Sequence, residues 1–578
     1  QSSDLLPGVV MPPADRIALA RGDSPADLVL RNVHLVNVLS GEIYPTDIVV
    51  HDGMIVACAL GYRANEEIDL RWRYVCPGLI DAHVHIESSL CTPPEFSRVV
   101  LARGVTTVVT DPHEIANVLG LEGIRFMLER AKHGPINMFV MSSSCVPATH
   151  METSGARLEA ADLAPLLSSE WVLGLAEMMN YPGVIYGDEG VLDKLDLFGQ
   201  RVLDGHAPTV TGKALQAYAA AGIQSDHECT TVEEALEKLR LGFTVFIRDG
   251  TTTRNLRPLL PMVTPENHHR LCFCTDDRQP DSLLNEGSID HMVRVAIAEG
   301  VDPIIAIRMA TINTATYFRL HRHGAIAPGR VADMVIFSDL KDLRAEIVFR
   351  NGVLAAEDGR VTGDKPPLRR MDLRGSMNAR LDPMDLRIPA AGQLIRVIEG
   401  YGDQVVTGHI TVEAKIENGE AVADTERDIL KIAVLERHRA SGNIGKAFIS
   451  GFGLKRGAIA GTVAHDHHNL IVIGADDASM QAAARAVSAM GGGLAAVDGE
   501  TVLATLPLPV AGLMSEEPIE DVKRQYDACI AAAHKLGSTM HDPFMAMSFM
   551  GLEVIPKLKL TDVGLVDVET FEVVDLWV

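Results

Sequence analysis

The segment PGLIDAHVHIESS (Pro77 to Ser89) sets His83 and His85 one residue apart, with Asp81 before them and Glu87 after. Side chains on a strand alternate with period two, so both imidazoles of a His-x-His pair project to one face. Such a pair can serve a metal ion or be two ordinary polar rings, and the pair alone does not decide. Further polar residues recur downstream at the ends of apolar runs. They are Asp111, His113 and Glu114, then Ser142 to Ser144, Glu177, His206, His227, Asp249, and Asp276 with Asp277. Among them, His83, His85, Glu177, His206, His227 and Asp276 make a set able to hold two metal ions. Imidazole nitrogen and carboxylate oxygen suit borderline divalent ions such as Zn²⁺, Fe²⁺ or Mn²⁺. Two such ions stand about 3.5–4 Å apart and share a bridging ligand, a role that the two oxygens of Glu177 can fill. His206 and His227 would hold the second ion. Asp276 would touch the first and accept a proton from the attacking water. Asp81 and Glu87, two residues before and after the pair, are expected off the strand's end or in the loop beyond and not as ligands, with Glu87 a neighbour of the ligands or a substrate contact.

Residues so far apart in sequence need a scaffold that gathers strand ends. The middle of the chain repeats one grammar: a short β-rich run, a polar cluster, then a helix-like stretch. Eight runs follow it, CPGLIDAHVHI, VTTVVTDPHE, INMFVMSSS, WVLGLAEMM, RVLDGHAP, GIQSDHEC, FTVFIRDG and LCFCTDD. Between them lie helix signals such as TTVEEALEKLRLG, with Thr230 or Thr231 as N-cap and Gly242 at the C-terminal end. Eight units predict an α/β fold, a (β/α)₈ TIM-like barrel, which carries functional residues at the carboxyl ends of its strands. Short strands precede it, with a hairpin turn at Asp52-Gly53, and follow it from Ala332 to Gly359, with another turn at Asn351-Gly352. These two segments can pair into one small sheet domain. The expected organisation is an N-terminal segment (1–25), the first half of a β-sandwich (26–76), the barrel (77–323), the second half of the β-sandwich (324–372) and a C-terminal α/β domain (373–578). That last domain mixes strands (TGHITVEAKIE, GTVAHDHHNLIVIG) with two helices, the second entered through Ser515 and Pro518.

Composition narrows the partners. With 578 residues the chain exceeds one compact core, and 47% apolar with 22% charged residues is ordinary for a soluble globular protein. A formal charge of −25 argues against nucleic acid and anionic membranes, which both require clustered Lys and Arg. The opening QSSDLLPGVVMPPADR has no basic region leading into an apolar run, so no secretory signal is expected, and TVLATLPLPVAGLM is too short and proline-broken to span a bilayer. Eight cysteines without a CxxC pair read as reduced thiols in a cytoplasmic enzyme. A homodimer is expected.

PGLIDAHVHIE, followed by Glu, His, His and Asp in that order, resembles the amidohydrolase superfamily. So does GAIAPGRVADMVIF (Gly324 to Phe337), which in that superfamily leads the chain back into a small flanking β-sandwich. Within it, DAHVHIESSLCTPPEFSRVVLARGVTTVVTDPHEIANVLG resembles the bacterial adenine deaminases, and TVAHDHHNLIVIGADD (Thr462 to Asp477) extends the resemblance through the C-terminal domain. Many binuclear relatives bridge their metals with a carboxylated lysine; GLAEMM offers Glu177 and no lysine nearby. The resemblance implies conversion of adenine to hypoxanthine and ammonia with Mn²⁺ or Fe²⁺, Asp276 carrying a proton from the attacking water to the leaving amine. His113 and Glu114 lie just past the second strand, with Glu114 the proton donor or adenine-edge partner; the bland alternative makes His113 a helix cap and Glu114 a first-turn carboxylate. AHDHHN (Ala464 to Asn469) presents His465, Asp466 and His467 as a lid touching substrate, a third metal site or a polar turn. Asp277 is a further substrate contact. Two other functions are compatible with portions of the pattern. One is an amidohydrolase acting on a cyclic amide, an imide or another aminopurine. The other, a catalytically dead relative, would have lost a ligand.

Overall fold

The computed structural model describes residues 12–363, 371, 373–402 and 404–578; residues 1–11 of the expected N-terminal segment, and residue 372 at an expected boundary, lie outside the described residues. A short helix, Pro13–Ala20, leads into β1 (Ala26–Asn37), β2 (Glu42–His51), β3 (Met54–Ala57), β4 (Ala64–Asp69) and β5 (Tyr74–Pro77). Asp52 and Gly53 both take positive φ, 47° and 72°, and join β2 to β3 as an antiparallel hairpin.

Eight parallel strands follow at the eight predicted runs: β6 (Leu79–Val84), β7 (Val105–Thr110), β8 (Asn137–Ser142), β9 (Val172–Met178), β10 (Val202–Gly205), β11 (Ser225–Asp226), β12 (Thr244–Arg248) and β13 (Leu271–Cys274). β6 to β10 pair in sequence order, and so do β11 to β13. The backbone N–H of Gln224 donates to Leu203 O at 3.0 Å and links the two runs. At the other junction Asp276 N donates to His83 O (2.9 Å) and His85 N to Asp276 O (3.2 Å), which closes the ring. Helices between the strands keep their apolar side inward. Val232–Arg240 starts on Thr231, whose hydroxyl accepts from Glu234 N, and the chain leaves it through Gly242 at φ 91°.

After the ring come β14 (Met334–Phe337), β15 (Ile347–Arg350), β16 (Val353–Glu357) and β17 (Arg360–Val361). They join the first five strands in one nine-stranded sheet, in which β14 pairs antiparallel with β5. The strands meant for a sandwich are therefore hydrogen-bonded as a single sheet, with Leu30, Ile48, Met334 and Phe349 sharing its core. The strands on either side of the ring segment are thus tied to each other directly.

The C-terminal unit, expected as an α/β domain in which strands mix with helices, is β-rich. Its main sheet comprises β18 (Leu394–Gly400), β19 (Thr407–Glu413), then, beyond the small hairpin of β20 (Ile416–Glu417) and β21 (Glu420–Ala421), β22 (Leu430–Leu435), β23 (Ile444–Ser450), β24 (Ala458–Gly461), β25 (Leu470–Gly474), β26 (Gly493–Asp498) and β27 (Thr501–Pro507). Every pair except β18–β23 is antiparallel. Alternation assigns its two faces. Ala433, Leu435, Ala460 and Val497 pack under Met480, Ala483 and Val487 of helix Asp477–Ala489. Ile432, Val434, Ile459 and Ala496 face the other way, into the core that also holds helix Ile519–Leu536 and the ring. Burial of that second face, at about 25 cal/mol per Å² of apolar surface, is what seats the unit on the ring. Helix Ile519–Leu536 begins after Pro518, not on Ser515. Ser515 instead exchanges backbone hydrogen bonds with Leu90 and Thr92 (2.8 and 3.0 Å), a further link between unit and ring. Among the described residues no helix is long and apolar enough to cross a membrane.

Candidate metal and catalytic centre

His83 lies on β6 and His85 just past its end, where the main chain is fixed by Asp81. That carboxylate accepts from His83 N (3.3 Å) and Thr275 N (3.1 Å), so a residue outside the ligand set fastens β6 to the segment that carries Asp276. Asp276 itself has φ 56°, a left-handed conformation uncommon for a non-glycine residue and often found at functional sites. The Nδ1 of His85 bonds the carbonyl of Asp111 at 2.9 Å. As a donor there it leaves Nε2 with a free lone pair, the arrangement that orients metal-ligating histidines.

Glu177, near the end of β9, is the centre of the cluster. Its Oε1 stands 3.1 Å from His85 Nε2 and 3.5 Å from His83 Nε2, while Oε2 stands 2.7 Å from His206 Nδ1 and 3.2 Å from His227 Nε2. Asp276 Oδ1 lies 3.1 and 3.4 Å from the first imidazole pair. Each carboxylate oxygen of Glu177 therefore addresses a different pair of imidazoles, and all six residues are at most 9% exposed. This is a buried His/Asp/Glu cluster of the kind that holds metal.

The electrostatics test the fit. Burial alone would strip protons from His83 and His85. Yet Glu177 and Asp276 hold His83 up at about 10 and His85 well above the usual range. Glu177 and Asp276 are also buried, which favours their neutral forms. The surrounding imidazoles, and for Asp276 first the guanidinium of Arg248, nevertheless keep them well below it. The cluster demands positive charge at the points where His83 Nε2 and His85 Nε2 face each other at 3.1 Å. Divalent ions on neutral imidazoles satisfy that demand, so the donor set fits the group.

A second group lies beside the first. Helix His113–Leu119 has Pro112 as its N-cap and no side-chain cap, so His113 does not cap it. His113 Nδ1 is 3.0 Å from Asp111 Oδ2 and 3.5 Å from Glu177 Oε1, and Ser143 Oγ donates to the other oxygen of Asp111 (3.0 Å). Glu114 turns toward the C-terminal unit: Oε1 meets His465 Nδ1 at 2.7 Å, and Oε2 contacts His468 Nε2. The AHDHHN segment is a turn between β24 and β25, and it is also seated on the ring. Asp466 Oδ1 lies 3.7 Å from His113 Nε2. Burial opposes a charge on either Glu114 or His465, but each holds the other ionised, Glu114 well below its usual range and His465 up at about 9.

The cavity is lined by His113, Glu114, Asp277, His465 and Asp466 together with most of the metal set, and by Phe549, Leu552 and Ile555 on its apolar side. Two of the predicted substrate contacts lie elsewhere. Glu87 is not among the lining residues; its Oε1 accepts from Ile115 N (3.2 Å), under the helix that carries Glu114. His467 is also outside the lining; its Nδ1 accepts from Asn469 N (2.9 Å), which holds the turn in shape.

Sequence reasoning missed Arg248 and Glu228, and gave no role to Asp111 or to His468 within AHDHHN. Arg248 Nη1 donates to Asp276 Oδ2 (2.8 Å), and the same guanidinium grips Glu228, with Nη2 on Oε2 at 3.0 Å. The signal was visible. Glu228 follows His227 directly, and Arg248 stands within the run FTVFIRDG, directly before Asp249. Asp249 turns away, toward Arg278 (3.5 Å) and His291 (3.7 Å).

Two family descriptions match the chain: the amidohydrolase family over residues 74–355 and the adenine deaminase C-terminal domain over residues 404–572. The adenine deaminase of Desulfatibacillum aliphaticivorans is 51% identical over 567 residues, 97% of this chain and 99% of that one. That of Methanothrix thermoacetophila is 48% identical over the same shares, and adenine deaminase 2 of Carboxydothermus hydrogenoformans is 46% identical over 97% and 99%.

Proposed function

We propose how this chain, which belongs to the adenine deaminases of the amidohydrolase superfamily and hydrolyses adenine to hypoxanthine and ammonia, carries out that reaction. The observation that carries the proposal is Glu177, one oxygen toward His83 and His85 and the other toward His206 and His227. These five residues and Asp276 would hold two divalent ions, Mn²⁺ or Fe²⁺, with Zn²⁺ compatible with the same donors. Bound there, such ions supply a hydroxide nucleophile at neutral pH by lowering the pKa of water from about 15.7 toward 7.

The chain's own residues do the rest. Asp276, with Oδ1 facing the ligand pair, takes the proton of the attacking water and returns it to the departing amine. The purine ring nitrogen also needs a proton as C6 becomes tetrahedral. Glu114 delivers it, drawing on the proton that His465 holds at 2.7 Å. Asp277 and Asp466 line the same cavity and read the polar edge of the base, while Phe549 packs its face. A cyclic amide or imide needs no ring-nitrogen acid, so the Glu114 group favours the purine. His465, His468, Asp466 and Phe549 come from the C-terminal unit, so the site is complete only when that unit is seated. We place its start at 373, with the (β/α)₈ barrel at 77–323 and the flanking sheet at 26–76 and 324–372. A cytoplasmic homodimer is the working assembly.

The test is a purine panel on metal-reconstituted protein, following ammonia release, with Asp276→Asn as control. Adenine turnover that is abolished in the control supports the scheme. An Asp276→Asn enzyme with unchanged kcat refutes it.

A further inference from the structure

Arg248 is the sole Lys or Arg among the described residues that line the cavity. It is the last residue of β12 and only 5% exposed, so its charge is placed inside the ring at the cost of desolvation. The guanidinium spans two carboxylates. Nη1 donates to Asp276 Oδ2 at 2.8 Å, and the Nη1/Nη2 fork closes on Glu228, the residue after His227. The two oxygens of Asp276 therefore have different fates. Oδ1 faces His83 and His85, and Oδ2 is pinned by Arg248. Glu228 has a rival partner as well: its Oε1 lies 3.5 Å from His206 Nδ1 and 3.4 Å from His227 Nε2.

We infer that Arg248 is a positioning residue for deamination. It holds Asp276 so that one oxygen alone faces the reacting centre, and it is itself held by Glu228, whose Oε1 it shares with the second imidazole pair. A carboxylate freed of this clamp can rotate and present both oxygens to the cationic centre, which leaves none placed to carry the proton. A planar fork is required to serve Glu228 and Asp276 together, and an ammonium cannot reproduce it. The inference rests on Asp276 as the proton carrier, and Asp276→Asn tests that premise separately.

The experiment is steady-state kinetics with adenine on Mn²⁺-reconstituted Arg248→Gln, Arg248→Lys and Glu228→Gln full-length proteins, with metal content and Tm measured on the same samples. Loss of positioning is expected to remove most of a general-acid/base contribution of about 10²–10⁴. Arg248→Gln should lose about 100-fold in kcat while the KM for adenine moves less than about 3-fold and metal content is unchanged. Arg248→Lys should keep its fold and still lose about 10-fold or more. Glu228→Gln, whose amide oxygen still accepts from the guanidinium, should lose less than about 10-fold. Added guanidinium ion should restore some of the activity of Arg248→Ala. Any of three results overturns the inference: a raised KM at unchanged kcat, which makes Arg248 a substrate contact; wild-type kcat per loaded site with lowered Tm or metal content, which makes it structural; or wild-type kcat in Arg248→Lys. Should Arg248→Gln not fold, Arg248→Lys and Glu228→Gln decide the matter.

Discussion

If the C-terminal unit supplies the partner that makes Glu114 competent, then Glu114 and His465 must act as one group. The contact is 2.7 Å long, with both residues no more than 5% exposed. A hydrogen bond between charged partners contributes about 1.5–3 kcal/mol. At about 1.36 kcal/mol per tenfold, that is roughly 10- to 150-fold in rate. His465→Asn is therefore expected to lower kcat/KM for adenine by that factor in the wild-type background. Glu114→Gln is expected to lower kcat by about 10²–10⁴, as loss of a general acid does. In the Glu114→Gln background the additional His465→Asn change should cost less than about 3-fold, because nothing remains for His465 to support. Circular dichroism and metal content would confirm that all three variants are folded and loaded. Equal losses in both backgrounds would show that the two residues act independently. A Glu114→Gln enzyme with unchanged kcat would remove Glu114 from the chemistry altogether.

Glu177→Gln should bind about one divalent ion fewer per chain by elemental analysis, since an amide presents a single acceptor oxygen to two imidazole pairs; full stoichiometry would refute the bridging role. Gly174→Ala, on the strand that carries Glu177, would put a Cβ 2.0 Å from Val202 O. Prying β9 from β10 should cost about 3 kcal/mol, which for a chain of 578 residues reads as a Tm lower by about 2–3 °C. The His467 imidazole is pushed down to about 3 by burial and by the neighbouring His468 and Arg437. Below its unfolded value of about 6.5 the unfolded chain takes up a proton that the native state refuses, so stability falls with pH from there toward 3. His467→Gln should flatten the Tm-against-pH curve in that window, and identical slopes for both proteins would count against it.

The ring was legible because each of its strands announced itself twice, by an apolar run and by the polar residues that ended it. The turns at Asp52-Gly53 and Asn351-Gly352 were legible for a local reason, since positive φ at both positions leaves few residue choices. The partners of Glu114 were not. His465 and His468 are some 350 positions downstream, and their pairing with Glu114 depends on how one face of a distant sheet packs, which periodicity does not report. Arg248 was passed over because a strand-end arginine reads as solvent-facing until a pair of buried carboxylates is known to surround it. The sandwich expectation became a single sheet for a related reason. Strand identity is local, whereas the hydrogen bonds from β5 to β14 join residues more than 250 positions apart.

His83, His85 and Asp276 exchange main-chain hydrogen bonds as well as facing one another through their side chains. The seam where the first and last strands of the ring meet is thus also the place where the first two and the last of the six proposed ligands come together. A chain that has not yet zipped that seam has no assembled binding site to offer, and an ion captured there acts as a rivet across it. Metal loading should therefore register as resistance to opening of the ring, readable in the hydrogen exchange of the His85 and Asp276 amides.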